Sequence, residues 1–287
     1  MINLFDYINK NERYKKFVID DLLFVEYKCV VEETKAGIWS DTNYFVFVTS
    51  GKKMWKSIYK EYIVEAGDSL FVKRGANLVH QYFDEDYCAL MIFISDDFIR
   101  NFMSRFPGII HGETHDLSAV DSVIRIQLDA YLEGYVNSLA SYFGARNLPD
   151  NNLLRLKFEE LLLNIFTRPV HKEVAGYLTT LNRSQTMQLQ QVMEENFAYN
   201  LKLEELASLC NMSLSSFKRV FNSFYKTSPG KWLLEKRLDF SSYLLRSTDK
   251  NVNEVAFESG FEDISNFIRS FKKKFSRTPL QYRVESA

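Results

Sequence analysis

Two stretches of the chain, SLSSFKRVFNSFYKTSP at 213–229 and DISNFIRSFKKKFSRTP at 263–279, hold the residue types best suited to chemistry with a polyanion. They align without a gap: Phe217 and Phe221 match Phe267 and Phe271, Arg219 matches Arg269, Tyr225 matches Phe275, and Ser228-Pro229 matches Thr278-Pro279. Aromatics four apart share one face of an α-helix, which predicts a buried face. Ser215, Ser216, Lys218, Arg219 and Asn222 in the first copy then point outward, as do Ser265, Asn266, Arg269, Lys272 and Lys273 in the second. Arg can clamp guanine O6 and N7, Asn can pair with adenine, and Lys and Ser can hold phosphate oxygens, so both faces suit duplex DNA.

The elements needed to position those faces are written around them. In the first copy Leu203, Leu206, Ala207 and Leu209 form an apolar helical face, Cys210-Asn211-Met212 interrupts it, and Ser213 stands where an N-cap would start a second helix. In the second copy Val255, Ala256 and Ser259 precede Gly260-Phe261, with Asp263 as the cap. Gly260 falls four residues after Ala256, as Asn211 falls four after Ala207, and both residue types tolerate the left-handed backbone of a tight turn. The repeat therefore reads as helix, turn, helix, twice. Between the copies, Ser228 caps and Pro229 opens a helix to about Arg246, roughly 27 Å long at about 1.5 Å per residue. Major-groove faces on one side of DNA recur every ~34 Å, so such a rod could present both units to successive major grooves.

The C-terminal hundred residues resemble the DNA-binding module of the AraC/XylS family of bacterial transcription regulators. The second-unit pattern of that family is met by Ala256, Gly260, Phe261, Asp263, Ser265, Phe267, Arg269, Phe271, Lys272, Thr278 and Pro279. The resemblance implies base-reading roles for Ser215, Lys218 and Arg219 in the first unit and for Ser265, Asn266 and Arg269 in the second, with phosphate contacts at Lys272, Lys273 and near Arg277. Two departures stand out. The glycine that usually precedes x-[ST]-P is Lys226 in one unit and Ser276 in the other, and a position often aromatic in the family is Asn266.

The first half has a different grammar. Residues 22–33, 43–64 and 68–83 are rich in β-branched and aromatic residues, with turn signals at Gly37, Ser50-Gly51, Gly67-Asp68 and Gly75-Ala76-Asn77, which predicts a β-sandwich or barrel. From about Asp121 to Phe143 and from Pro149 to Phe166 the period becomes helical, and Leu154, Phe158, Leu161 and Ile165 share a face. That face either packs on the β-domain or forms a dimer seam. This half resembles the cupin-type regulatory domain of such regulators, and residues 65–75 with 90–106 are similar to the subgroup that includes activators of type III secretion genes.

Composition sets the remaining bounds. The net charge of −1 hides an asymmetry: residues up to Asn182 carry 20 Lys/Arg against 25 Asp/Glu, those beyond carry 16 against 12. No apolar run approaches the ~20 residues of a membrane span and no secretory leader pattern opens the chain, so a cytoplasmic protein is expected. Three separated cysteines, Cys29, Cys88 and Cys210, give neither a disulfide framework nor a zinc site. Cupin enzymes hold a metal with clustered histidines, whereas His80, His111, His115 and His171 are scattered, and no common nucleophile, nucleotide or zinc-protease motif occurs.

The expectation is therefore a two-domain, non-enzymatic regulator that needs no cofactor or metal. Residues 1–170 form an all-β cupin-like sandwich or barrel (strands to about 106, helices at 120–167), 171–183 a linker, and 184–287 an all-α domain with two helix-turn-helix units on a connecting helix. Its partners would be double-stranded DNA, RNA polymerase if it activates, and a second copy through helix 153–166. For control of the first domain two readings stay open: a small molecule filling a barrel walled by Tyr44, Phe47, Trp55 and Phe71, or docking of a protein antagonist or second copy, those aromatics being core. A cupin-type enzyme fused to a DNA-binding module is a third, weaker reading.

Overall fold

The computed structural model describes residues 1–28, 35–82, 86–109, 121–182 and 185–286, and the chain divides into two compact units, Met1–Arg183 and Ser184–Ala287.

In the first unit eleven strands are described: β1 (Ile2–Asn3), β2 (Lys15–Ile19), β3 (Leu22–Lys28), β4 (Lys35–Ser40), β5 (Asn43–Ser50), β6 (Lys52–Lys56), β7 (Glu61–Glu65), β8 (Ser69–Val72), β9 (Gly75–Gln81), β10 (Cys88–Ile94) and β11 (Val123–Ile126). The helices are α1 (Leu4–Lys10), α2 (Asp96–Arg105), α3 (Ala130–Gly144), α4 (Asn151–Thr167) and α5 (Lys172–Thr179). One sheet runs β1-β4-β9-β6-β7, the other β11-β8-β5-β10-β3-β2. Strand alternation divides β5 between two cores. Tyr44, Val46 and Val48 pack between the sheets with Trp55, Val64 and Val79. Phe45 and Phe47 face the opposite way, into a core that the six-stranded sheet shares with α3, α4 and α5. Because that sheet is covered on both faces, Leu22, Leu23, Phe24 and Val25 are all buried, and β3 reads as a continuous apolar run.

Four local expectations change. The strands expected to about 106 stop at Ile94, and α2 follows at once because Ser95 caps it, its hydroxyl accepting from Phe98 N–H. Gly37 is not a turn but lies inside β4, opposite Leu78, with the Met1 side chain packed where a Cβ would stand. Residues 121–128, expected in a helix, include β11, which pairs with β8; α3 starts only at Ala130, capped by Asp129. Segment 171–183 is no free linker through its described residues: α5 occupies most of it, and Val174, Tyr177, Leu178 and Leu181 join the core beneath α4. Its apolar spacing gives that segment a surface to bury, which outweighs the loop signals of Pro169 and Gly176.

The second unit is helical: α6 (Gln185–Asn196), α7 (Leu203–Leu209), α8 (Leu214–Tyr225), α9 (Pro229–Ser247), α10 (Val252–Glu258), α11 (Ile264–Phe275) and α12 (Pro279–Ser286). Ser228 caps α9, its hydroxyl accepting from Lys231 N, with Pro229 in the first turn. The α9 helix serves both halves of the unit. Trp232 packs edge-on to Phe221 near one end, while Leu238, Leu244 and Leu245 join Val255, Ala256, Phe267 and Phe271 further along. No helix among the described residues is long and apolar enough to cross a membrane.

Candidate nucleic-acid interface

The two turns are built alike, bond for bond. After α7, Asn211 takes φ +53° and Met212 N–H donates to Ala207 O at 2.9 Å; after α10, Gly260 takes φ +84° and Phe261 N–H donates to Ala256 O at 3.0 Å. A left-handed residue closes each helix so that the chain can re-enter helix at once. The caps follow: Ser213 Oγ accepts from Ser216 N–H, and Asp263 Oδ1 accepts from the N–H groups of Ser265 (2.8 Å) and Asn266 (3.3 Å).

In each helix-turn-helix the second helix buries two phenylalanines completely. Phe217, Phe221, Phe267 and Phe271 are 0% exposed, each burial stabilising by roughly 2 to 3 kcal/mol. Phe275 is half-buried against Tyr282, and Tyr225 packs on Trp232, with burial pushing its phenol up to about 12. Ser215, Lys218, Arg219 and Asn222 are exposed on α8 and Ser216 is half-buried; on α11 Ser265, Asn266, Arg269, Lys272 and Lys273 are all exposed. On α11 Arg269 Nη2 donates to Asn266 Oδ1 at 3.3 Å, so these two outward residues already touch. Each helix therefore offers hydrogen-bond donors and positive charge along one edge, which is the equipment for a major groove and its flanking phosphates.

Two functional features escaped the sequence. Lys274, third of the run at 272–274, turns away from that edge: its Nζ lies 2.7 Å from Glu235 Oε2 and 2.8 Å from Asp239 Oδ1 on α9. Burial alone would lower its ammonium pKa, but the bonds it donates to Asp239 and Glu235 outweigh that and raise it, while the bond donated by Lys274 lowers that of Glu235. The second is Arg237, whose Nε and Nη2 donate to Phe197 O (2.7 Å) and Tyr199 O (2.8 Å) beyond the end of α6. Glu235 and Asp239, spaced i and i+4, were the available signal for the first; nothing local marks the second.

In the first unit the four aromatics read as one ligand wall do not share a wall. Tyr44 and Trp55 lie between the sheets, Phe47 and Phe71 in the core under the helices, and none is more than 2% exposed. Residues 44 and 47 differ by an odd number along β5, so their side chains must leave opposite faces. The face of α4 read as a dimer seam is likewise occupied: Leu154, Phe158, Leu161 and Ile165 are buried in the unit's own core, with Phe158 stacked on Phe24 at 3.9 Å. The large apolar residues that α4 leaves exposed are Leu153 and Leu156. Among the described residues no group of three or more His, Cys, Asp or Glu could hold a metal ion; His111, His115 and Cys29 lie outside them.

A two-sheet β-domain with covering helices, followed by paired helix-turn-helix units on one connecting helix, defines a two-domain DNA-binding transcription regulator. Residues 43–177 match the profile described as the ExsA N-terminal regulatory domain, and residues 206–285 match a helix-turn-helix domain profile. The chain belongs to the AraC/XylS family. It is similar to the virulence regulon transcriptional activator VirF of Yersinia enterocolitica, at 27% identity over 255 residues, covering 89% of this chain and 91% of that protein. It is also similar to the HTH-type transcriptional regulator ExsA of Pseudomonas aeruginosa, at 28% identity over 233 residues, covering 81% and 83%. Among solved structures, apo ToxT from Vibrio cholerae aligns with a TM-score of 0.46 at 12% identity, over 94% of this chain and 99% of that one.

Proposed function

We propose that the protein activates transcription by laying α8 and α11 into two successive major grooves of one duplex, with Arg219 and Arg269 as the principal base readers. The observation that carries this reading is the repetition: two units with matched turns, caps and buried phenylalanines each leave one arginine on an exposed edge. Ser215, Lys218, Ser265 and Asn266 stand beside those arginines as further base contacts, and Ser216, Asn222, Lys272 and Lys273 serve the phosphates. Activation is supported by the similarity to the transcriptional activator VirF, and brings RNA polymerase in as a partner. A DNA target implies a cytoplasmic protein, and the reading involves no catalysed reaction.

Control through the first unit is by association with a protein, either an antagonist or a second copy, rather than by a small molecule. The burial of Tyr44, Phe47, Trp55 and Phe71 in two separate cores favours this reading. The test uses the full chain and a duplex carrying its selected site. Arg269→Ala should lose about 1 to 3 kcal/mol of discrimination between that duplex and a scrambled one; undiminished discrimination would remove Arg269 from the role.

A further inference from the structure

The connecting helix does more than space the two units by its length. Over five residues of α9, four charged side chains reach into different parts of the second unit. Lys236 Nζ meets Glu194 of α6 at 2.8 Å. Arg237 binds the carbonyls of Phe197 and Tyr199, in the loop between α6 and α7. Glu235 and Asp239 grip Lys274 of the second recognition helix. The turn of the second helix-turn-helix closes on the same place: a Cβ at Gly260 would stand 2.8 Å from Ala198 O and 2.9 Å from Arg237 Nε, so only a bare Cα fits between that loop and the guanidinium. Asn200, at the end of that loop, donates to Glu262, just before the cap of α11.

We infer that residues 235–239 of α9 form a charged hub that locks α11 to the first helix-turn-helix, so that the regulator accepts one spacing between its two half-sites, with Lys274 and Arg237 as positioning residues. The inference rests on the proposed reading of two grooves by α8 and α11. Apolar packing attaches each helix-turn-helix to α9 but leaves the second free to roll by small angles, because side chains in contact at a helix surface can slide. Directional bonds on both sides of α9 remove that freedom. Moving one half-site by a single base pair turns it by about 35° around the duplex, which a locked pair cannot follow without losing contacts or bending the DNA.

Charge separates this account from a plain electrostatic one. If Lys274 were a phosphate contact, Lys274→Ala would weaken binding to every duplex, and its loss would lower the salt slope by about one. Asp239→Asn with Glu235→Gln changes net charge the opposite way and, on that account, would tighten binding to every duplex. As positioning residues, both sides of the ion pair must act alike whatever the sign of the charge change.

The test starts by selecting, with the full chain, preferred sites from a library of random duplexes; failure to enrich any sequence would defeat the DNA-binding reading itself, before the hub is questioned. The selected half-sites are then placed in a series with spacing changed by one base pair at a time. The wild type should prefer one spacing by about tenfold or more, and Lys274→Ala, the Glu235→Gln/Asp239→Asn pair and Arg237→Lys should each reduce that preference to about threefold or less. The salt slope of Lys274→Ala should match the wild type, and a melting curve of each variant confirms that the unit is folded. Selected sites without a spacing preference in the wild type, variants that keep the preference, or a slope reduced by about one in Lys274→Ala would each overturn the hub.

Discussion

At the scale of single residues, the two positions where this chain lacks the glycine usual in the family are where the recognition helices close in the left-handed region. Lys226 and Ser276 close α8 and α11 with φ of +55° and +60°, each donating its N–H back into the last turn. A side chain in the left-handed region costs on the order of 1 kcal/mol, so Lys226→Gly and Ser276→Gly should each stabilise the second unit by roughly that amount in chemical denaturation. A change below zero would show that the side chains return the cost elsewhere. The position of the strain was legible through the family resemblance, which puts a glycine before x-[ST]-P where this chain has Lys226 and Ser276; the Lys274 contact was not, since three consecutive lysines look alike until α9 is in place. His171 gives a second residue-scale prediction. It is buried, and neither ring nitrogen has a hydrogen-bond partner among the described residues. Burial lowers its pKa, which Asp129 partly offsets and Arg168 reinforces. The unfolded chain thus takes up this proton more readily, so the contribution to stability is present above about pH 6.5 and is lost as pH falls through the depressed folded value. The drop in melting temperature of the wild type between about pH 7.5 and 5.5 should shrink in His171→Leu; an equal drop in both proteins would assign the acid sensitivity to other groups.

At the scale of elements, the two turns make a controlled pair. Both are left-handed, but only Gly260 is also wedged between a carbonyl and a guanidinium. Gly260→Ala should therefore destabilise the second unit by about 2 kcal/mol or more, while Asn211→Gly should be neutral or slightly stabilising, as read by thermal melting. Similar effects at both sites would mean that backbone conformation alone matters. Helices and turns of this unit were readable because each obeys a local rule, with caps at Ser213, Ser228 and Asp263 and periodic Phe and Leu faces. The strands of the first unit were less so. Residues 121–128 look helical from composition, yet β11 is held by pairing with β8, some fifty residues earlier, and no local pattern reports a long-range ladder. The odd separation of Tyr44 and Phe47 could have been read in advance: a strand sends them to opposite faces, so one ligand wall was excluded once β5 was accepted as a strand covered on both sides.

At the scale of the whole molecule, the chain joins a β-unit to a helical unit that presents positive charge. Leu153 and Leu156 are the large apolar residues that α4 leaves exposed, so association through the first unit, if it uses α4, must use these two. Replacing both with Lys or Glu should leave the melting temperature of the monomer unchanged and lower any self-association seen by sedimentation; unchanged association would move the interface off α4. The DNA-binding unit depends most directly on one claim, that α8 and α11 each read a separate stretch of the same duplex. Sites selected from random duplexes by the full chain, by Arg219→Ala and by Arg269→Ala would decide it. Each variant should lose base preference at its own position, the two positions lying about one helical turn, or roughly 10 base pairs, apart, with the other retained. Loss at the same position in both variants, or at neither, would contradict it.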